Sequence, residues 1–266
     1  MEAMGKLKKG TWALILGGSQ GLGLASAKKL AREGYHICIV HRDRRADLEG
    51  FEAEVKEMRA WGNQCLTFNK DILKDKNRNQ ILQELGTRLP EGQKIKVLVH
   101  SVAKGSLKPM RPLEVPSLGP ADFQITLEAM ALSLYDWAKA LLEHQLFDAD
   151  ARIMAFTSEG NTRVLPHYGA VSVAKVALEA LVRQMALEFA PLGIKANCIQ
   201  AGVTPTRSLS LIPGSEALKA NALARNPNNR LTTPEDVANV VYLLSLPEAQ
   251  WITGTVIKAD GGESLH

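Results

Sequence analysis

The chain is poor in the features that mark specialised protein classes. Aromatic residues make up 5% of its 266 positions and no Lys/Arg tract accompanies them. The aromatic ladder and concentrated basic patch of a nucleic-acid binder are both missing. Three cysteines, Cys38, Cys65 and Cys198, are an odd count, and two stand inside apolar runs. They point to reduced core thiols rather than a disulfide frame or a metal site. No stretch approaches the ~20 uninterrupted apolar residues that span a bilayer. The opening Met1 to Gly10 is basic, but the apolar run Trp12 to Leu16 behind it is too short for a signal-peptide core and ends in glycines. A cytoplasmic chain without membrane insertion is therefore expected. The formal net charge of +4 is mild and spread along the chain, which favours acidic ligands at most.

What is present is a mixed chain, 45% hydrophobic, with no internal repeat or low-complexity linker. It is long enough for a single α/β domain over residues 1–266. Short β-like runs alternate with helical periodicity. Strands are expected over Trp12 to Leu16, His36 to Val40, Gln64 to Asn69, Lys96 to His100, Arg152 to Phe156, Ile194 to Ile199 and Thr255 to Lys258. Helices are expected over Gly23 to Glu33, Arg45 to Trp61, Asn77 to Leu89, Pro120 to Leu146, His167 to Ala190 and Pro234 to Leu246. That alternation argues for one doubly wound domain, a seven-stranded parallel sheet with helices on both faces. Two segments read as irregular, Lys104 to Pro120 with four prolines and Arg207 to Arg230 rich in Ser, Pro and Asn. Both follow strand ends, where loops of an open α/β sheet build the ligand crevice.

The first strand runs into Gly17-Gly-Ser19-Gln20-Gly21-Leu22-Gly23 and then an Ala-rich helix. Glycines there let the backbone approach a phosphate, whose charge is favoured by the free N–H groups of a helix start. A glycine triplet alone is weak; after a buried strand and before a helix it points to a dinucleotide-binding, Rossmann-type fold. The second strand is followed by His41-Arg42-Asp43-Arg44-Arg45. An acid at this point accepts from a ribose diol, whereas an arginine forks onto a 2′-phosphate. Arg42 is the expected phosphate partner and NADPH is expected over NADH; a merely solvated charged loop is the plain alternative. Asp71 and Ile72 stand where the adenine ring would lie, and Ser101, Val102 and Ala103 pass beneath the cofactor.

Tyr168-Gly-Ala-Val-Ser-Val-Ala-Lys175 reads as the start of a long amphipathic helix. Seven positions are close to two helical turns, so the phenol and the ammonium are expected on one face, ~10 Å apart along the axis. By itself the octapeptide reads more readily as a solvated helix face, and the rest of the chain has to decide. Ser158, ten residues before the tyrosine, ends a strand and either donates to a substrate or satisfies local backbone.

Taken together, Gly17-x3-Gly21-x-Gly23, Asp71, Ser158, the Tyr168/Lys175 pair, Gly202-Val-Thr-Pro-Thr206 and the closing Asp260-Gly-Gly resemble the short-chain dehydrogenase/reductase family over nearly the whole chain. The spacing of seven between Tyr168 and Lys175, together with His100-Ser101, is similar to the divergent branch of enoyl-acyl-carrier-protein reductases. Arg42 and the Asp-Gly-Gly-Glu-Ser-Leu ending look nearest to the NADPH-dependent type called enoyl reductase III. The resemblance implies reduction of the C=C bond of a trans-2-enoyl thioester on acyl carrier protein, in fatty-acid elongation. It implies Tyr168, Lys175 and Ser158 at the reacting atoms, with Tyr168 donating to the substrate oxygen and Lys175 holding the nicotinamide ribose and favouring the phenolate. Val203 backbone groups and the Thr206 hydroxyl are implied to hold the nicotinamide carboxamide. No metal is implied.

The pattern departs from the family in two places. Met130 aligns with the asparagine usual in the wider family, and a second tyrosine found in relatives has only Ser158 or Val164 in its place. Residues near 207–230 read either as an apolar flap over an acyl chain or as a helix packed on its neighbour. Lys108, Arg111, Arg207, Lys219 and Arg225 either steer an acidic carrier or are ordinary surface charges. Stripes at Met130, Leu134, Trp137, Leu141 and at Leu178, Leu181, Met185, Phe189 suggest a two-fold homodimer or homotetramer on family grounds, with a monomer as the alternative. The rival functions are a 3-oxoacyl or other carbonyl reductase and a non-catalytic NADPH-binding sensor.

Overall fold

Trp12–Leu16 (β1) is apolar and buried at every position, the condition of a central strand covered on both faces. In the computed structural model, which describes residues 10–112 and 116–266, β1 lies between His36–His41 (β2) and Ile95–His100 (β4). The basic start before Gly10 and part of the proline-rich segment lie outside the described residues. Cys65–Asn69 (β3), Phe147–Ser158 (β5), Lys195–Ala201 (β6) and Val256–Ala259 (β7) complete a sheet of order β3-β2-β1-β4-β5-β6-β7 with every pairing parallel. The strand order reverses between β1 and β4, and their carboxyl ends open the crevice there.

Alternation along β1 divides the core. Trp12, Leu14 and Leu16 pack with residues of Asp75–Arg88 (α3), Ser133–Glu143 (α5) and Gly169–Glu188 (α6). Ala13 and Ile15 pack with Gly21–Arg32 (α1), Arg45–Ala60 (α2) and Pro234–Ser245 (α9). Period-two side chains of one strand thus serve two layers of helices. Cys38, Cys65 and Cys198 are free and buried, and burial pushes the Cys198 thiol up to about 12. No helix among the described residues is long and apolar enough to cross a membrane.

Three elements depart most from the sequence expectation. The helix expected from Pro120 to Leu146 is Pro120–Leu127 (α4), a wide π turn over Glu128–Leu132, and α5. Strand β5 begins five residues early, at Phe147, because Phe147 pairs with Ile95 ahead of a register shift along β4. The segment 207–230 is not irregular: it contains Arg207–Ser210 (α7) and Ser215–Arg225 (α8), which its Ser and Pro content conceals. Both apolar stripes mostly face inward, with Leu134, Trp137, Leu141, Leu178 and Met185 in the core, while Ile125, Leu132, Tyr135, Val173 and Val176 are exposed.

Opposite the crevice, at the start of β5, the buried guanidinium of Arg152 forks onto Asp150 at 2.6 and 3.1 Å, and Lys96 and Lys195 reach the same carboxylate at 3.0 and 3.1 Å. Burial works against the charge of Asp150, but these three cations hold its carboxyl well below the usual range. Asp150→Ala strands the Arg152 charge and is expected to cost roughly 2–3 kcal/mol in urea unfolding. That lies below the ~3–5 of a fully buried pair because the carboxylate is partly screened by solvent. Because the folded value is depressed, Asp150's contribution is complete above the unfolded value of ~3.9 and fades as the pH drops below it. Stability of the wild type should therefore fall with acid more steeply than that of Asp150→Ala; parallel curves would remove the network from the account.

Candidate active site

The turn from β1 into α1 brings backbone where side chains cannot go. Gly17 has φ +80°, and a Cβ on it would stand 2.3 Å from the Ser101 carbonyl oxygen; a Cβ on Gly23 would stand 2.3 Å from that of Gly17. Gln20, the N-cap of α1, makes no side-chain cap bond, so the first-turn N–H groups keep their donors for an anion. A cavity of about 350 Å³ extends from this turn, lined by Gly17, Ser19, Gln20, Gly21 and Leu22, by Arg42, Asp71 and Ile72, by Ser101, Val102 and Ala103, and by Ser158, Tyr168, Lys175 and Thr206. Gly23 stands behind it, supporting the turn. Every residue expected to hold a dinucleotide, apart from Gly23 and Val203, meets in this one crevice.

A second, largely apolar cavity of about 220 Å³ adjoins the first. Leu107, Leu165, Leu209, Ile212 and Leu218 contribute to its walls. The two share Met130, Ser158, Tyr168 and Thr206, so the candidate reacting groups stand where a cofactor space and an apolar space meet. Met130, where the wider family places asparagine, is buried in one small cluster with Tyr168 and Val171. Val164 is exposed and contributes no aromatic wall.

Tyr168 is not inside a helix. It is the N-cap of α6, with φ −102° and ψ 5°, preceded by the left-handed His167. The two-turn argument therefore misplaces the tyrosine; what brings it to Lys175 is the bend before the helix, with the ring over Gly160, which has no Cβ to obstruct it. Its hydroxyl lies 3.4 Å from Ser158 Oγ, which also accepts from Gly160 N–H at 3.1 Å. Ser158 thus serves local backbone and faces the tyrosine together. Lys175 is buried and donates to the Phe156 carbonyl at 2.6 Å. Burial lowers the Lys175 ammonium to about 8, and burial raises the Tyr168 phenol, partly offset by Ser158. The expectation that Lys175 favours a phenolate is corrected: desolvation dominates at both groups and favours the neutral phenol.

Past β2, Arg42 is 61% exposed and its guanidinium is paired with Asp71 at 2.9 Å. Asp43 lines the same crevice, its carboxylate bonded by His41 Nδ1 at 2.7 Å and Ser19 Oγ at 3.1 Å. The residue pattern gave no sign of this arrangement beyond the acid's presence. Val203 lines the second cavity, and its N–H is already donated to Glu263 Oε2 at 2.9 Å, so of its backbone pair only the carbonyl is left for a ligand. Thr206 Oγ1 accepts from Leu209 N–H and caps α7. Of the cations considered for a carrier, Lys108 pairs with Asp122, Arg207 with Asp47, Lys219 with Glu216, and Arg225 with Glu159 and Glu263. Arg111 is exposed. Sequence reasoning missed Glu159 and Glu263, which become visible only when distant segments fold together. No cluster of candidate metal ligands occurs among the described residues.

Comparison with known proteins adds to this geometry. The model of the family described as enoyl-(acyl carrier protein) reductase matches residues 17–264. The chain is 29% identical to 1-cyclohexenylcarbonyl-CoA reductase of Streptomyces collinus over 259 residues, covering 95% of this chain and 86% of that one. It is 29% identical to the enoyl-[acyl-carrier-protein] reductase [NADH] of Neisseria meningitidis over 250 residues, 92% of this chain and 93% of the other. Its fold is similar to the crystal structure of enoyl-[acyl-carrier-protein] reductase (NADH) from Aquifex aeolicus, with TM-score 0.81, 25% identity and coverage of 97% and 98%.

The burial of Lys175 makes a direct prediction. Titration of its side-chain nitrogen by NMR in the ligand-free protein should show a midpoint near 8, the charge being lost as the pH rises through that value. A midpoint at the ordinary 10.5 would contradict the desolvation account.

Proposed function

Because the chain belongs to the enoyl-(acyl carrier protein) reductase family of short-chain dehydrogenase/reductases, we propose that it reduces the C=C bond of a trans-2-enoyl thioester with NADPH, in fatty-acid elongation with acyl carrier protein as the carrier. The observation that carries this reading is the position of Tyr168 and Ser158 in the wall shared by the crevice at the glycine turn and an apolar cavity. The residues present fit a dinucleotide: the glycine turn borders the crevice, and the first turn of α1 beside it keeps its N–H donors for a phosphate. When bound, the dinucleotide supplies the hydride that adds to the β-carbon.

Such an addition drives negative charge onto the thioester oxygen, and a donor fixed there lowers the barrier. Tyr168 is that donor, kept as a neutral O–H by burial. Lys175, with one of its three N–H protons committed to Phe156, has donors left for the ribose and is mostly protonated at neutral pH. Met130 offers no polar atom for a proton path through that position, which speaks against the carbonyl-reductase reading. The segment 207–230 is assigned to covering the acyl chain through Leu209, Ile212 and Leu218, and the exposed Ile125, Leu132, Tyr135, Val173 and Val176 to a two-fold contact in a homodimer or homotetramer.

NADPH is retained because the Arg42–Asp71 pair is exposed; such pairs are worth ~0–1 kcal/mol and are released readily to a 2′-phosphate. One observation favours NADH: the Asp43 carboxylate is fixed in the crevice by His41 and Ser19, suited to a ribose diol and repelling a phosphate. Two measurements separate these. Arg42→Ala should weaken NADPH binding about tenfold and NADH binding little; a wild type that binds NADH more tightly assigns the diol reading instead. For the reaction, NADPH should be consumed with crotonyl-CoA and not with acetoacetyl-CoA; consumption with the latter alone would identify a carbonyl reductase, and binding without consumption a sensor. Tyr168→Phe should lower kcat ~10²–10³-fold with dinucleotide affinity nearly intact; an unchanged kcat would remove Tyr168 from the mechanism.

A further inference from the structure

The second cavity is closed on one side by an ion cluster that no sequence motif announces. Arg225, at the end of α8, forks onto Glu159 with Nη1–Oε1 at 3.0 Å and Nη2–Oε2 at 2.8 Å. Its Nη2 also reaches Glu263 Oε1 at 3.0 Å, its Nη1 the backbone carbonyls of Glu263 and His266 at 3.1 Å, and its Nε Asn221 Oδ1 at 3.1 Å. Every guanidinium nitrogen is engaged, so Arg225 has no donor left for a ligand. The remaining Glu263 oxygen accepts from Val203 N–H at 2.9 Å. Arg225 and Glu263 side chains are 11% and 3% exposed, so solvent screens the cluster little.

These contacts join three parts of the chain, and they add to the β6–β7 pairing and to the Asn226 Nδ2 bond to the Asp260 carbonyl that already bring the C-terminal turn near α8. Glu159 follows Ser158 directly, opening the 3-10 turn just past the end of β5, 66 residues from Arg225; Glu263 lies 38 residues further on. Gly202, beside Val203, is packed so closely that a Cβ would stand 2.8 Å from Glu263 Oε2. Glu159, Arg225 and Glu263 all line the apolar cavity together with Ser158 and Tyr168. A planar fork held by two carboxylates fixes orientation as well as distance.

We propose that Glu159, Arg225 and Glu263 form a latch of positioning residues, in which Arg225 fastens the 207–225 segment against the strand end carrying Ser158 and Glu263 transmits that restraint to the loop at Val203. The inference rests on the proposed reduction of an enoyl thioester and names what shapes the acyl side of that site. The latch touches neither the glycine-rich turn nor Lys175. Through Glu263 it also holds the Val203 N–H, on the side assigned to the nicotinamide carboxamide, but leaves the Val203 carbonyl free, so its loss is expected to act mainly on the acyl substrate and only weakly on the dinucleotide.

The test uses the full chain. In Arg225→Met, KM for crotonyl-CoA should rise about tenfold, within the scale on which a misplacement of about 1 Å is felt, while the Kd for NADPH stays within about twofold. Amide hydrogen exchange over 207–225 should quicken while the strands keep their protection. Glu159→Gln keeps the side-chain shape and breaks only the charged fork, so it should move the same quantities the same way by less, and it decides the matter if Arg225→Met does not fold. Unchanged KM and unchanged exchange in a folded variant overturn the latch, as does an equal loss of NADPH affinity, which marks general loosening. If the wild type turns over no enoyl thioester, the functional reading fails, and exchange over 207–225 by itself still upholds or overturns the latch.

Discussion

The tightest constraint in this fold is backbone against backbone at the exit of the first strand. With Cβ positions at Gly17 and Gly23 lying 2.3 Å from carbonyl oxygens, β1, β4 and α1 approach to a distance that no side chain permits. That contact sets Ser101 beside the glycine turn and aims the start of α1 at the same space. The strand order then does the rest: β4 and β5 follow on one side, and their ends deliver Ser101, Ser158 and, through α6, Tyr168 and Lys175 to the crevice. Residues from both ends of the chain thus line one crevice beside a turn in which no Cβ fits.

Burial acts on the two central groups in opposite arithmetic directions and one chemical direction. It lowers the ammonium of Lys175 and raises the phenol of Tyr168, favouring the uncharged form of each. His100, between the strand end and α5, follows the same rule: its imidazole is held down to about 3 by burial and, secondarily, by Lys175, so it remains a neutral acceptor or donor beside Ser133.

The strands were legible because a parallel sheet leaves its signature in consecutive residues: Trp12 to Leu16 is apolar throughout, and both layers of the core demand it. The glycine turn was legible for a similar reason, since only one residue type satisfies the clearance. Side-chain direction was not legible. Arg42 sits where a phosphate partner belongs, yet its guanidinium is drawn to Asp71, 29 residues on, while Asp43 is bonded by His41 and Ser19. Arg225 looked like a surface cation because its two carboxylate partners lie 66 and 38 residues away. The octapeptide pointed to two residues that do line one cavity, but by a different geometry, because periodicity does not register the left-handed His167 that ends the loop before α6.

The π turn at Glu128–Leu132 has a phase consequence for everything beyond it. A π turn accommodates one more residue than an α turn, and each residue advances the helix by about 100°. Residues from Ser133 onward are therefore indexed a quarter-turn or so away from where an unbroken rod would set them. In this register Ser133 Oγ meets His100 Nε2 at 2.8 Å and Met130 faces Tyr168. Excising a single residue from this turn would re-clock the whole of α5, swinging its inward face, Trp137 included, toward solvent. The bulge works as a vernier: one added residue lets a long amphipathic rod serve the cavity at one end and the sheet at the other.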